Sequence, residues 1–165
     1  LYLNGTAAQA DDTNVFQAAP TASVFSPQGG AWGGIGVSGH NYITYCFHSV
    51  DGYSKVGTYS GNGATDGPFI YIGFRPAYLL IKTTNLSGHS WYVWDNKRED
   101  YAGNSNDSVL YPNSNSIEND STDYSIDFIS NGFKIRNASN LDNNVSGTYI
   151  YYAIAESPFK TSNAR

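Results

Sequence analysis

Hydrophobic and polar residues alternate with a period of two in several short segments, most of them bounded by Gly, Asn, Pro or Ser. This alternation is typical of β-strands, because successive strand side chains point to opposite faces of a sheet. Signals for helices are nearly absent. The segments predicted as strands are 42–47, 55–59, 69–72, 77–82, 90–94, 124–129, 132–136 and 149–154.

Short strands without helices predict an all-β fold. With about seven or eight strands in one unit, we expect an antiparallel two-sheet β-sandwich, of the jelly-roll or lectin-like kind. A closed barrel is the alternative architecture.

Turn residues predict how neighbouring strands connect. A Ser-Asn-Gly turn at 130–132 predicts a hairpin between 124–129 and 132–136. Segments 69–72 and 77–82 are expected to pair with each other in the same way. The sequence therefore predicts two local strand pairs.

Two further expectations concern the last strand and a polar stretch. We expect Ile150, Tyr152 and Ile154 to share the face that points into the core. Segment 100–123 is polar, which predicts a long surface loop with one short strand at 109–111.

The last third of the chain repeats the first. Segment 1–4 matches 110–113, and 38–47 matches 146–154, with an offset of about 109 residues at the start and about 107 at the end. We therefore expect residues 1–51 to be the C-terminal half of a preceding β repeat unit and 52–165 to be a complete β-sandwich module. Half a β unit cannot bury its own apolar face, so it must pack on something else.

Composition narrows the class of protein. Aromatic residues make up 15% of the chain and charged residues only 14%, which favours an ordered β protein over a disordered chain. The net charge of −5 argues against binding to nucleic acid or anionic lipid. No apolar run reaches the ~20 residues of a membrane helix. We expect no nucleic-acid or membrane partner, and we expect the single Cys46 to be a small buried core residue.

Several motifs resemble a module of tailed-phage virion proteins, many of them from marine and environmental phages. The most specific is the Asn-Gly-Ala-Thr-Asp-Gly-Pro run at 62–68. The resemblance covers essentially all of 52–165, and in such proteins the module often follows a lectin-like sandwich whose tail resembles 1–50. It implies a fibre, appendage or tip domain and supplies no catalytic residues. The segments that carry it are 52–77, 91–98, 110–113, 128–136 and 147–160.

Catalytic constellations are weak in this sequence. Asp95, Glu99 and Asp100 cluster, but Lys97 and Arg98 lie between them, which indicates a solvated turn more than a glycosidase pair. A nucleophile elbow, a phosphate-binding loop and a dinucleotide fingerprint are all missing. We expect no enzymatic activity.

Metal ligands do not show a recognisable spacing either. His40, His48 and His89 form none of the common zinc motifs. Calcium binding remains possible because the chain has several oxygen-bearing side chains, although no EF-hand loop is present. The prediction is therefore no cofactor, with calcium as the alternative. The aspartates that could contribute oxygen ligands are Asp66, Asp120, Asp123 and Asp142.

Sugar recognition is the stronger binding hypothesis. Saccharides stack on exposed Trp and Tyr rings and are oriented by Asn, Asp and Arg. One strand and the turn after it carry all of these residue types, and strand ends are where binding loops lie. The alternative is that the aromatic residues belong to the core or to an interface. The predicted glycan-binding residues are Trp91, Tyr92, Trp94, Asp95, Asn96 and Arg98.

Aromatic residues outside this strand predict contacts between copies. Trp32 lies among glycines with little local support, so we expect it to insert into a neighbour or a ligand. Tyr-rich, charge-poor strands can bury against sister chains without a large desolvation penalty. The predicted interface residues are Trp32, Tyr42, Tyr149 and Tyr151.

Three functions remain open on the sequence. The first is a phage virion structural protein at the virion surface that forms a homotrimer, contacts other virion proteins and attaches weakly to a cell-surface glycan at each site. The second is a ligand-free assembly or decoration subunit that forms β-rich fibres. The third is a secreted carbohydrate-binding module, which glycosylation of the Asn-x-Ser/Thr triplets would favour.

Overall fold

Nearly all regular structure in this chain is β-strand. The computed structural model describes residues 1–10, 16–27, 37–98, 105–139, 142–143 and 145–158. It divides into two units, one made of Leu1–Gln9 and Phe47–Arg165 and the other of Ala10–Cys46. The strands are β1 (Phe16–Ala18), β2 (Ser26–Pro27), β3 (Ser54–Ser60), β4 (Phe69–Tyr71), β5 (Pro76–Thr83), β6 (Tyr92–Asp95), β7 (Ser108–Val109), β8 (Asn119–Asp120), β9 (Ile126–Ile129), β10 (Gly132–Ile135) and β11 (Thr148–Ala155).

The described residues of the smaller unit form an antiparallel hairpin. Strands β1 and β2 pair from Phe16 opposite Pro27 to Ala18 opposite Ser26. The rings of Phe16 and Phe25 meet edge to face, with centroids 6.4 Å apart. A Thr21 turn lies between the strands, where the Thr21 hydroxyl oxygen accepts from the Val24 amide at 3.0 Å.

Segment 42–47 is not a β-strand, and its prediction as one is wrong. Cys46 within it is exposed, so the prediction of a buried core thiol is wrong as well. Alternating side chains form a strand only where neighbouring strands complete the backbone hydrogen bonds. The matching strand β11 already occupies the position between β3 and β5.

The larger unit is built on a four-stranded antiparallel sheet with the order β3-β11-β5-β6. Strand β11 is interior, and it pairs along its length with β3 on one edge and β5 on the other. β-branched and aromatic residues dominate these strands, as expected from their preference for β-sheets.

A three-stranded antiparallel sheet has the order β4-β10-β9. The predicted hairpin of β9 and β10 is confirmed, with Phe128 opposite Phe133. The predicted pairing of 69–72 with 77–82 is wrong, because β4 pairs with β10 and not with β5. The chain changes sheets after β4, where Ile72 and Gly73 donate their amides to the Asn131 carbonyl at 3.0 and 3.1 Å.

The polar stretch before β9 is more structured than the sequence indicates. Strands β7 and β8 form a small antiparallel pair, and a 3-10 turn at Thr122–Tyr124 leads into β9. The Ser121 side chain caps this turn by accepting from the Asp123 amide at 3.3 Å.

The two larger sheets share one apolar core, which confirms the predicted antiparallel β-sandwich. Phe133 of β10 contacts Tyr59 and Tyr151 of the four-stranded sheet, with ring centroids 6.1 and 5.4 Å apart. Trp94 is fully buried between the same layers. The sheets do not close on each other as a barrel would.

The prediction that Ile150, Tyr152 and Ile154 face this core is wrong. In β11 the buried positions are the alternate ones, Tyr149, Tyr151, Ala153 and Ala155. Both faces of β11 are apolar, so alternation alone could not distinguish the inner face from the outer one.

Candidate functional site

The outer face of the four-stranded sheet, which points away from the core, carries an apolar groove of about 620 Å³. Its floor is made by side chains of β3, β5 and β11, and its rims by residues outside the strands. None of the lining side chains is charged, so the groove suits an apolar occupant. The floor residues include Val56, Tyr78, Leu80, Ile150, Tyr152 and Ile154, and the rims include Leu3, Phe47, Trp91 and Pro112.

One rim is formed by the segment Leu1–Gln9. Its Thr6 carbonyl accepts from the Gly88 amide at 3.0 Å, and its Gln9 amide donates to the Thr84 carbonyl at 2.5 Å. The Trp91 indole Nε1 donates to the Tyr2 carbonyl at 2.9 Å. These bonds hold the segment against the end of β5 and the start of β6.

The same segment helps to bury a lysine on β5. Lys82 is fully buried, and its ammonium donates to the carbonyls of His89 at 2.8 Å and Thr6 at 3.5 Å. Burial lowers the pKa of Lys82, and burial together with the Lys82 charge lowers the pKa of His89. The Lys82 ammonium is therefore covered by backbone carbonyls.

The opposite rim is formed by an aromatic pair. Phe47 lies against Tyr152, with ring centroids 4.9 Å apart. Tyr152 also meets Tyr78 edge to face at 6.4 Å. Partial burial raises the pKa of both tyrosines, so their hydroxyls stay neutral at physiological pH.

The predicted sugar-stacking aromatic residues are buried. Trp91, Tyr92 and Trp94 expose 9, 3 and 0% of their surfaces, so none offers an open ring face in this structure. Trp94 donates its indole N–H to the Tyr124 carbonyl at 3.0 Å, a structural hydrogen bond inside the core. Stacking of a saccharide on these rings would require the site to open.

The polar residues predicted beside them form a turn whose side chains and amides are hydrogen-bonded to each other. Asp95 accepts from the amides of Lys97 and Arg98 at 2.9 and 3.1 Å, and from Arg98 Nε at 2.5 Å. The pKa of Asp95 is lowered: burial opposes the shift, and the hydrogen bond from Arg98 and the turn amides outweigh it. Asn96 donates to Glu156 at 2.7 Å.

Arg98 connects this turn to a second groove. Its Nη1 atom lies 2.8 Å from Glu118 Oε2. Glu118 belongs to a polar groove of about 430 Å³ beside β8. One aromatic ring, several side-chain oxygens and an amide line it, which is the set of groups that orients a sugar. The lining residues are Tyr111, Ser116, Ile117, Glu118, Asn119 and Asp120.

The predicted interface residues do not share one location. Trp32 lies outside the described residues. Tyr42 exposes 44% of its surface, whereas Tyr149 and Tyr151 are buried core residues. Of the predicted interface residues that the structure describes, only Tyr42 is exposed. Exposed aromatic residues that were not predicted, such as Tyr71, could also contact a neighbour.

The 62–68 run, the most specific motif in the sequence, surrounds a buried asparagine. Asn143 accepts from the Asn62 amide at 2.9 Å and donates to the Ala64 carbonyl at 2.8 Å. A Cβ on Gly67 would lie 2.7 Å from the Ile135 carbonyl oxygen, so this position requires glycine. The 62–68 loop is therefore held against the sandwich by its hydrogen bonds to Asn143 and by the close approach of Gly67 to Ile135.

Asp142, next to Asn143, carries a buried carboxyl group whose burial the sequence did not predict. Asp142 is fully buried, and its Oδ1 has no hydrogen-bond partner among the described residues. Burial raises its pKa to about 7 and outweighs the opposing hydrogen bond from Asn137. Only the tertiary structure reveals this burial, because Asp142 reads as an ordinary turn residue in the sequence.

Two further features concern metal binding and membrane-spanning helices. Within the described ranges, no three His, Cys, Asp or Glu side chains are grouped to hold a metal ion. Nor does that part of the chain contain a helix with the length and hydropathy needed to cross a membrane.

The fold and grooves together define an antiparallel β-sandwich with an apolar outer face. A family model described as "Domain of unknown function (DUF7483)" matches residues 1–158, and the chain belongs to this family. The match spans both parts of the chain that the internal repeat distinguishes. No curated protein matched the chain, and no solved structure matched it either.

Proposed function

We propose that this chain is a phage virion structural protein, a fibre, appendage or tip domain that assembles with copies of itself and with other virion proteins at the virion surface. The observation that carries the assembly role is the apolar groove on the outer face of the four-stranded sheet. The resemblance of the 52–165 motifs to phage virion proteins supplies the virion context. The role is structural and does not involve catalysis.

The occupant of the groove is a second copy of the chain. A sheet face with no charged lining residue satisfies neither a polyanion nor a hydroxyl-rich glycan. The net charge of −5 would repel like copies, and an uncharged face is where that repulsion is smallest. A trimer formed around this face would bury the groove in each copy.

Mass measurement of the full chain under non-denaturing conditions tests this proposal. We expect an integer multiple of 17.9 kDa, with three as the expected number. Val56→Glu places a charge on the groove floor and should shift the mass to that of a monomer. Tyr71→Glu changes a residue that is 67% exposed on the other sheet, and it should leave the mass unchanged.

Two results would contradict the assembly role. One is a monomeric parent chain at tens of micromolar concentration. The other is an oligomer that persists in Val56→Glu while the variant keeps its β-sheet circular dichroism. A monomer with hexose-sized mass increments would favour the secreted carbohydrate-binding module.

Glycan attachment is the second candidate function, and the polar groove favours it. Tyr111 offers a ring, Glu118, Asn119 and Asp120 offer oxygens and an amide, and Arg98 lies behind Glu118. The predicted polar residues of the Asp95 turn thereby support the site from one side. Binding at each site would be weak, and an oligomer would multiply it into avidity.

A glycan array with the full chain tests attachment. Asp120→Ala removes an exposed hydrogen-bond acceptor from the groove and should abolish binding to any glycan that the parent retains. Asp51→Ala changes an exposed carboxylate away from this groove and should leave binding intact. An oligomer that retains no glycan would favour the ligand-free assembly or decoration subunit.

A further inference from the structure

Segment 42–47 exposes apolar side chains that alternate like those of a strand. Ile43 and Tyr45 expose 82 and 79% of their surfaces, although such residues are usually buried in β proteins. Its backbone is not part of any sheet. A β-like sequence without a ladder is a ready template for pairing with another strand.

The internal repeat identifies what this segment is built to pair with. Its counterpart is β11, which has strand neighbours on both edges. In that alignment Cys46 corresponds to Ala153, which is fully buried against the opposite sheet. The small side chain at this position therefore fits a core-facing site in an interior strand.

The elements that precede the segment repeat in the same order. Segment 1–4 matches 110–113, which follows β7. In both copies an antiparallel hairpin precedes the last-strand sequence, β1 with β2 in the first and β9 with β10 in the second. In the second copy β8 lies between 113 and β9. Residues 1–51 thus show a hairpin like that of the back half and the sequence of the last strand.

We propose that 42–47 is a donor strand that inserts between the two flanking strands of a front half of the same repeat. The partner is a polypeptide with the chemistry of β3 and β5. Both of its strands would offer one open edge to the segment, as β3 and β5 offer theirs to β11. The proposal stands whether or not the protein belongs to a virion.

Insertion would satisfy the backbone hydrogen bonds of the segment and bury the Cys46 side chain in one step. Each edge of β11 forms an extended antiparallel ladder, so a strand in the equivalent place would gain hydrogen bonds on both sides. Cys46 would pass from solvent into the core, and Ile43 and Tyr45 would lie on the outer face of the new sheet. This is the β-augmentation mode of recognition.

Cys46 is the only thiol in the chain, which makes its accessibility a clean readout. The experiment extends the intact chain by fusing a second copy of 52–109 directly before Leu1, so that Leu1 takes the place that Leu110 has in the second copy. The added residues contain no cysteine. The rate of Cys46 labelling by a maleimide is measured in the native extended chain, the native parent and both chains in denaturant.

We expect labelling in the extended chain to be at least about tenfold slower than in the parent, with equal rates in denaturant. Thr44→Pro in the extended chain removes a backbone donor from the inserted strand and should restore fast labelling. A Thr21→Ala change in the extended chain, outside the segment, should leave Cys46 protected.

An unchanged labelling rate in the extended chain overturns the proposal, whether or not the added residues fold. Segment 42–47 is proposed to complete the sheet of the added residues, so their failure to fold with it would also contradict the proposal. A parent chain whose Cys46 is already protected also overturns it. So does protection in the parent that grows with concentration, since the occupant would then be another copy of this chain.

Discussion

The ring of Tyr151 on β11 lies across Gly57 on β3, directly opposite it in the antiparallel ladder. A Cβ at position 57 would come within 2.5 Å of the Tyr151 hydroxyl oxygen and 2.7 Å of its Cζ. The Tyr151 ring thus fills the space that a side chain at position 57 would occupy. The same ring then packs on Phe133 of the other sheet.

We expect Gly57→Ala to destabilise the sandwich. The added methyl would displace Tyr151 in the core, and overpacking of this kind costs about 1–3 kcal/mol. Urea unfolding measures the loss. Gly5→Ala is the matched control, because a Cβ there would meet nothing closer than 3.6 Å. A Gly57→Ala protein as stable as Gly5→Ala would contradict this packing.

Asn143→Ala should destabilise the protein through the 62–68 loop. The change leaves the Asn62 amide and the Ala64 and Asn137 carbonyls without the partner that Asn143 provides. Each buried polar group left unpaired costs about 1–3 kcal/mol. Asn115→Ala, at an exposed position, should unfold at the same urea concentration as the parent. Equal midpoints for both variants would show that the loop does not depend on Asn143.

Asp142 should make the protein less stable as the pH rises from about 4 to about 8. Its pKa is about 7 in the folded protein against an ordinary value of 3.8, so over this range the folded state holds a proton that the unfolded state has lost. The unfolded state is therefore favoured as pH rises, by on the order of 4 kcal/mol in total. Above pH 8 this group adds no further change.

Thermal unfolding of Asp142→Asn checks this pH dependence. The variant should lose most of the decline in Tm between pH 4 and 8, and it should be more stable than the parent at pH 8. Below pH 4 both proteins should weaken together, because Asp66 has a lowered pKa through its hydrogen bond from Lys134. A parent whose Tm rises steadily from pH 4 to 8 would be inconsistent with a protonated Asp142.

Trp91→Phe should loosen the segment Leu1–Gln9 while the sandwich stays folded. The variant cannot donate the indole N–H to the Tyr2 carbonyl, a hydrogen bond worth about 1 kcal/mol. Hydrogen exchange at the amides of Gly88 and Gln9 should accelerate about fivefold, because both amides bond across this contact. The Tyr151 amide in β11 serves as the internal reference. Equal acceleration there would indicate global destabilisation instead.

The hairpin of β9 and β10 could be predicted because all its determinants are local. A Ser-Asn-Gly turn joins two alternating segments, and the strands pair where the pattern indicates. β4 and β5 also lie where their sequences predict, but they belong to different sheets. Sheet membership depends on partners far along the chain, and a local pattern carries no information about them.

The predicted glycan-binding strand shows the same division. The sequence placed Trp91, Tyr92 and Trp94 on one strand next to Asp95 and Arg98. In the structure Tyr92 and Trp94 lie on β6, and Trp91 directly precedes this strand. Burial of the three rings follows from contacts with Tyr2 and Tyr124, which lie far away in the sequence. With the three rings buried, the partly exposed part of the predicted site is the Arg98–Glu118 ion pair beside the polar groove.

By itself, the sequence determined the all-β class, the positions of strands β3, β4, β5, β9, β10 and β11, and the internal repeat, because alternation and turn residues act over a few neighbouring positions. The tertiary structure decided which face of β11 is buried, that 42–47 forms no strand, and that Asp142 is buried beside Asn143. Each of these outcomes depends on a partner distant in sequence, since a strand is completed, a ring covered or a carboxyl desolvated only by residues that folding brings to it.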